Sequence, residues 1–366
     1  MSKKTLVEKA IRNHAEVAYA SELSVLLDED KNNPKPLNWK LSPRAVVLYL
    51  VGGTTPRGKK IRPKFIGDRK LMEMAVATLA ADRGLLLYGL PGTGKSWVSE
   101  HLAAAISGDS TLVVQGTAGT DESVLRYGWN YQQLIAKGPC LDALVPSCTL
   151  RGMQEGKVVR IEELTRIPSD VQDALISIMS EKVVAIPELN VERKAYSGFN
   201  IIATANNRDR GVNELSSALR RRFNTVTLPP PETLEEEVKI VRNRVEELGQ
   251  TFEFPTAPPA QEELQRVVTI FRELRSGVTI DGKRVKSPTG TLSTAEAISV
   301  VNNALATAGY FGDGNLSARD LAVGLVGAVV QDLNTDPAIW NEYVENVVKE
   351  RKDWDDLYKA CKDIKL

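Results

Sequence analysis

One eight-residue stretch narrows the possible folds of this chain more than any other: Gly89-Leu-Pro-Gly-Thr-Gly-Lys95-Ser96. It follows a short apolar run, Leu85–Tyr88, and leads into a helical pattern that ends near Gly108. Strand, glycine-rich turn and helix in that order make a G-x-x-x-x-G-K-S phosphate loop. Gly89, Gly92 and Gly94 let the backbone curl so that successive N–H groups point inward, and the start of the helix adds its positive end to the same anion. Lys95 is suited to the β- and γ-phosphates of a nucleotide, and the Ser96 hydroxyl to Mg²⁺. Pro91 and Thr93 within the turn and Trp97 just after it are read as part of the same nucleotide cradle.

The surrounding pattern says what carries this loop. Leu85–Tyr88, Leu112–Val114, Val158–Ile161, Asn200–Thr204 and Thr225–Leu228 are short apolar runs, most of them separated by helical segments. Such strands interleaved with helices imply an α/β core with a parallel sheet covered on both faces. Ahead of it, the first 35 or so residues read as one charged helix, and Arg44–Val51 as a second apolar run. Thr54–Lys64, punctuated by proline and glycine and carrying five positive charges, reads as a solvated connector. After Pro229-Pro-Pro231 the strand signals fade. Thr233–Glu236, Ser293–Glu296 and Ser317–Asp320 have the form of helix-opening capping boxes, the first helix running up to Gly249. Val278–Val285 reads as a hairpin turning at Asp281-Gly282. Asp336-Pro337 opens a last helix, with Trp340, Val344, Val347, Trp354, Leu357 and Cys361 on one core-facing stripe. The expected divisions are 1–64, a helical extension with a basic loop; 65–230, the α/β core; and 231–366, a helical domain.

Hydrolysis needs more than a cradle. Val158-Val-Arg-Ile-Glu162-Glu163 is a strand ending in two acids, about 70 residues beyond the loop. The first acid would hold Mg²⁺ through water, and the second would orient or deprotonate the attacking water. A solvated strand end looks the same, but the next strand, Asn200–Asn206, also ends in a polar amide suited to a water or a γ-phosphate. Arg160 sits among buried positions of the acidic strand and needs a partner. Arg220, Arg221 and Arg222 are adjacent and share no helix face, so they do not all serve one carboxylate. A guanidinium forks onto phosphate, and one supplied by a neighbouring subunit would be an arginine finger, worth about 10³–10⁵ in turnover.

Composition removes other classes. Lys plus Arg equals Asp plus Glu at 47 each, so no general basic field exists to hold nucleic acid, and none is expected as a partner. His14 and His101 are the chain's two histidines, which leaves little for a zinc site or a histidine-based triad. Cys140, Cys148 and Cys361 lack a C-x-x-C pair and read as reduced thiols. No apolar run approaches the roughly 18 residues of a membrane span. Met1-Ser-Lys-Lys-Thr opens no apolar signal core, so a cytoplasmic location without membrane contact is expected.

Together these features resemble the core of the AAA+ ATPases, and among them the MoxR type. The likeness is densest over Ile161-Glu-Glu-Leu-Thr-Arg-Ile-Pro168, Val171-Gln172, Leu175, Met179 and Glu181. Ala203-Thr-Ala-Asn206 is similar to the family's sensor 1, Arg222-Phe223 to its arginine-finger pair, and Ile66-Gly67 to the segment beside the adenine. The resemblance implies a P-loop core with a five-stranded parallel sheet in the order 5-1-4-3-2, followed by a helical lid. It implies ATP and Mg²⁺ as cofactors, hexameric rings, and a remodelled protein client, commonly with a von Willebrand factor A partner. In these terms Glu162 and Ser96 face the metal, Glu163 the water, Asn206 the γ-phosphate, and Arg222, with Arg221, a neighbour's site. Segments 116–153 and 181–199 would be inserts facing the ring centre, with Tyr127, Trp129 and Tyr131 as pore candidates or ordinary packing residues. Two departures stand out: Glu162 replaces the usual aspartate, and neither Ser287-Pro-Thr nor Ser293-Thr-Ala carries the sensor 2 arginine. They motivate a nucleotide-binding scaffold with little hydrolysis as an alternative. A GTP-driven DNA motor of the McrB type is another, from Ala218-Leu-Arg-Arg-Arg-Phe223.

Overall fold

The computed structural model describes residues 11–206 and 213–364. The described residues divide into two compact units, 13–90 with 94–229, and 230–364 with 11–12 and 91–93.

The first unit is built on a parallel sheet of β1 (Gly84–Gly89), β2 (Val113–Gln115), β3 (Val158–Glu162), β4 (Asn200–Asn206) and β5 (Phe223–Thr227). Their spatial order is 5-1-4-3-2. Side chains alternate between two apolar layers. Leu85, Leu87, Val158 and Ile202 face one core, while Leu86, Val159, Ile161, Ile201 and Ala203 face the other. Both faces are covered, so the central strands β1, β3 and β4 are buried along almost their whole length. Arg160 and Glu162 share the Val158 face through the period of two.

That face is covered by α1 (Ala15–Ala18), α2 (Ala20–Glu29), α3 (Pro43–Val51), α4 (Arg69–Ala80) and α5 (Lys95–Ser107). Tyr19, Leu23, Leu26, Leu41, Val46, Tyr49 and Leu50 join Met72, Leu102 and Leu85 in a single core. Residues 13–64 are therefore inside the α/β unit, where composition alone sets them apart. The charged helix expected over the first 35 residues is two helices meeting at Tyr19, and residues 1–10 lie outside the described residues.

The basic stretch also departs from expectation. Gly53–Thr54 pairs antiparallel with Lys60–Ile61, and three of the five charges find acids on α2. Arg57 pairs with Asp28 at 2.8 Å, Arg62 with Glu22 at 3.1 Å, and Lys64 with Glu22 as well. The stretch is solvated as expected at Arg57, Lys59, Lys60 and Arg62, but Thr55, Ile61 and Lys64 are buried and clasp it to the unit.

The second unit is helical, with its own core drawn from residues 238–361. All three capping boxes form, at Thr233/Glu236, Ser293/Glu296 and Ser317/Asp320. The first helix continues through Gly249 and ends at Phe252, because Glu253 takes the left-handed cap at φ 54°. At Asp281-Gly282 the chain turns, but only an isolated Val278–Arg284 bridge forms, not paired strands. The last helix is broken into Asp336–Tyr343, a π turn at Val344–Val348 and Asp355–Asp363. Its stripe still serves the core, with Trp340, Val344, Val347, Leu357 and Cys361 all buried.

Candidate active site

The site lies where β1 ends and α5 begins. Gly92 and Gly94 adopt φ 75° and 80°, and Gly94 is the N-cap of α5, so a left-handed backbone turns the loop into the helix. Gly92, Gly94 and Ser96 are exposed, as an open cradle requires, whereas Lys95 is buried. The Lys95 ammonium donates to the carbonyls of Gly89 at 3.1 Å and Leu90 at 2.7 Å, holding it over the mouth of the loop.

Glu162 is the centre of a buried polar knot. Its Oε2 accepts from Ser96 Oγ at 2.6 Å and Thr204 Oγ1 at 2.8 Å. Its Oε1 accepts from Ser99 Oγ at 2.5 Å and from Arg160 Nη2 at 2.9 Å. Arg160 has the partner its position demands, and it also donates to Ser99 Oγ, Ser96 O and Ser110 O at 3.0–3.1 Å. Ser99 and Thr204 bond the Glu162 carboxylate and were missed in reading for motifs. The signal was available: Ser99 is one helical turn beyond Ser96, and Thr204 is two strand positions before Asn206, on the same face. Gly116, at the end of β2, approaches so closely that a Cβ would lie 2.4 Å from the Glu163 carbonyl. Its N–H donates to the Glu162 carbonyl at 2.7 Å.

Glu163 sits at φ 55°, a left-handed conformation in a non-glycine residue. It turns the chain out of β3, and its N–H donates to Thr204 Oγ1 at 2.9 Å. Its carboxylate is half-exposed and ion-paired with Arg166. Asn206 pairs in register with Gly89, which sets its backbone beside the first glycine of the loop and beyond the end of the β3 ladder. Asn207, which by sequence reads as a helix-cap candidate, lies outside the described residues.

The Trp97 ring meets those of Tyr19 and His101. Its Nε1–H donates to the Lys64 carbonyl at 2.9 Å, two residues before Ile66 and three before Gly67. Lys64 itself is buried between the rings of Tyr19 and Tyr49, and desolvation outweighs its Glu22 partner to push its pKa down to about 8.

The arginines are elsewhere. Phe223 pairs with Gly84, at the end of β1 opposite the phosphate loop. Five residues at about 3.3 Å each separate the two ends, farther than an arginine side chain spans. Arg222 donates to Ser180 Oγ and the Ala218 carbonyl of its own chain, while the Arg220 and Arg221 side chains are exposed. Of the aromatic insert residues, Tyr127 and Trp129 are half-buried in a ladder with Leu144–Pro146, and Tyr127 OH donates to Glu188 at 2.9 Å. Tyr131 is 74% exposed.

The donor set fits a hydrated magnesium ion and a triphosphate: a hydroxyl and a carboxylate 2.6 Å apart, an ammonium, and a loop of exposed glycines. Among the described residues no helix is long and apolar enough to cross a membrane.

Comparison with known proteins agrees with this geometry. Residues 84–223 match the AAA domain of the dynein-related subfamily, and residues 235–364 match the YehL-like AAA+ ATPase C-terminal domain. The chain is 40% identical to YehL of Escherichia coli K12, itself uncharacterised, over 95% of this chain and 96% of that one. It is 24% identical to midasin of Dictyostelium discoideum over 41% of this chain and 2% of that protein. Among solved structures, NtrX of Brucella abortus in complex with ATP has a TM-score of 0.48 at 13% identity, covering 73% of this chain and 56% of that one.

Proposed function

The chain belongs to the AAA+ ATPases that carry a YehL-like C-terminal domain, and on that premise we propose that it is a Mg²⁺-dependent ATPase of the MoxR type. In this reading it works as a ring and remodels a protein client. The observation that carries the reading is the Ser96–Glu162 pair, brought together from the phosphate helix and the neighbouring acidic strand beside Lys95. When bound, ATP supplies the γ-phosphoryl group and Mg²⁺ offsets its charge. Lys95 exchanges two backbone carbonyls for phosphate oxygens. Ser96 and Glu162 would hold the metal between them, the hydroxyl directly and the carboxylate through water, with Mg²⁺ supplying charge neutralisation when bound. Glu163, now paired with Arg166, would orient or deprotonate the attacking water, and Asn206 would respond to the γ-phosphate. The distance between the arginines and their own phosphate loop supports a finger acting in a neighbouring subunit.

A second reading, a nucleotide-dependent scaffold with little turnover, draws support from Glu162, whose oxygens have four donors, and from the Glu163–Arg166 pair. Phosphate release with Mg-ATP over a series of protein concentrations separates the two. We expect a rate per chain that rises with concentration and levels off, and its loss in Lys95→Ala. Release at background at every concentration, with ATP still bound, favours the scaffold. A preference for GTP over ATP would favour the DNA motor.

A further inference from the structure

Nucleotide chemistry calls for no arginine inside the acidic strand, yet Arg160 is buried there on the same face as Glu162. All three of its guanidinium nitrogens are bonded. Nε donates to Ser99 Oγ at 3.0 Å and Nη1 to the Ser110 carbonyl at 3.1 Å. Nη2 donates to the Ser96 carbonyl at 3.1 Å and to Glu162 Oε1 at 2.9 Å. One planar group thus ties β3 to the first turn of α5 and to the segment after it. Ser110 is fixed in turn, its Oγ donating to Glu16 of α1 at 2.7 Å. The Glu162 carboxylate is divided accordingly. Oε1 is taken by Arg160 and by Ser99 Oγ at 2.5 Å, and Oε2 by Ser96 Oγ at 2.6 Å and Thr204 Oγ1 at 2.8 Å. Of these four donors, Ser96 alone belongs to the phosphate loop.

We propose that Arg160 is a positioning residue for Glu162, and that the glutamate at this position, where aspartate is usual, is matched to it. The inference rests on the reading above in which Ser96 and Glu162 hold the metal. A guanidinium on Oε1 fixes the direction of the whole carboxylate, which leaves Oε2 aimed at Ser96. Ser96 and Ser99 both belong to α5, which covers this face of the sheet. A carboxylate one methylene shorter stands nearer the strand and farther from both serines. It can follow Arg160 or reach Ser96, but it does not span the knot. The longer side chain is therefore a fitted part of the site, not a weakened version of it.

The test measures how much Mg²⁺ adds to the affinity of the full chain for AMP-PNP, a non-hydrolysable ATP analogue, by calorimetric titration in excess Mg²⁺ and in EDTA. Glu162→Asp keeps the charge, and a metal site indifferent to Arg160 accepts it. We expect instead that the Mg²⁺ effect falls about tenfold, the size of one charge-assisted hydrogen bond, while affinity in EDTA stays within about twofold of wild type. Arg160→Met should lower the Mg²⁺ effect as well. In that background Glu162→Asp should cost less than about twofold more, because the partner that the extra methylene serves is gone. If Arg160→Met does not fold, Arg160→Lys, which keeps the charge and loses the fork, takes its place in the cycle. Losses that simply multiply overturn the proposal, and so does an aspartate variant with the full Mg²⁺ effect. A loss in EDTA as large as that in Mg²⁺ overturns it too, since Arg160 then only holds α5 in place. A wild-type protein that binds AMP-PNP equally well with and without Mg²⁺ removes the metal reading of Ser96 and Glu162, and this inference with it.

Discussion

At the scale of single residues, the acids differ in kind. Glu162 is buried under four donors, whereas Glu163 is half-exposed and held out of β3 by a left-handed backbone, a conformation that costs on the order of 1–3 kcal/mol. A side chain so presented can change partners, as general-base work requires. Glu163→Gln should still bind Mg-ATP but release phosphate about 10²–10⁴-fold more slowly; unchanged turnover would remove Glu163 from the chemistry. Arg160 has a structural test. Its buried guanidinium and Glu162 are each other's charge partner, so Arg160→Leu should lower stability by about 3–5 kcal/mol in denaturant unfolding. For the finger, exposure favours Arg221 over Arg222, whose guanidinium is tied to Ser180 and Ala218. Arg221→Ala should then slow turnover by about 10³–10⁵ while leaving the chain's own ATP affinity alone. If Arg222→Ala does so instead, Arg222 leaves its own chain to act. The motif residues were legible in sequence because phosphate chemistry constrains type and spacing together. Ser99 and Thr204 were less so, since a hydroxyl on a buried face carries no motif.

At the scale of elements, the strands and capping boxes were readable because their signals are local, whereas the N-terminal clasp was not. Five positive charges in a turn-rich stretch say nothing about Asp28 and Glu22, which lie about 30–40 residues earlier and meet them only by long-range packing. Lys64 makes that packing measurable. Burial depresses its pKa from 10.5 to about 8 against the opposing pull of Glu22, with Arg62 nearby and Tyr19 and Tyr49 on either side. Between those values the unfolded chain binds more protons than the folded one, so this group adds stability as pH rises, ~1.4 kcal/mol per unit. Below about 8 its contribution is flat. Above 10, Tyr49, whose pKa burial raises, opposes it, because the unfolded chain then loses that proton first. The melting temperature of wild type minus that of Lys64→Met should therefore climb between pH 8 and about 10. A flat difference would mean that Lys64 stays charged in its site.

At the scale of the whole molecule, the strand order came from the resemblance rather than from any run of residues, since five apolar strands admit many orders. The division of cores is physical. The apolar residues around the sheet come from residues 19–228, and those of the helical unit from 238–361, with no member in common. Each unit has its own buried charge knot: Glu162 in the first, and in the second Glu237, wholly buried, paired with Arg272 at 2.9 Å and Arg275 at 2.8 Å and bonded by Thr294 at 2.7 Å. Separate cores imply separable unfolding, so the calorimetric enthalpy should exceed the van't Hoff value and resolve into two transitions. Glu237→Ala strands two guanidiniums and a hydroxyl, and should lower one transition by the equivalent of about 3–5 kcal/mol. Arg160→Leu should lower the other. A saturating ligand that binds only folded protein raises the transition of the unit holding its contacts, by about 2.7 kcal/mol at a hundred times its Kd. Mg-ATP should therefore raise the transition that Arg160→Leu lowers. If both substitutions instead shift one common transition, the two cores unfold as a single cooperative body, and neither unit's stability has meaning apart from the other's.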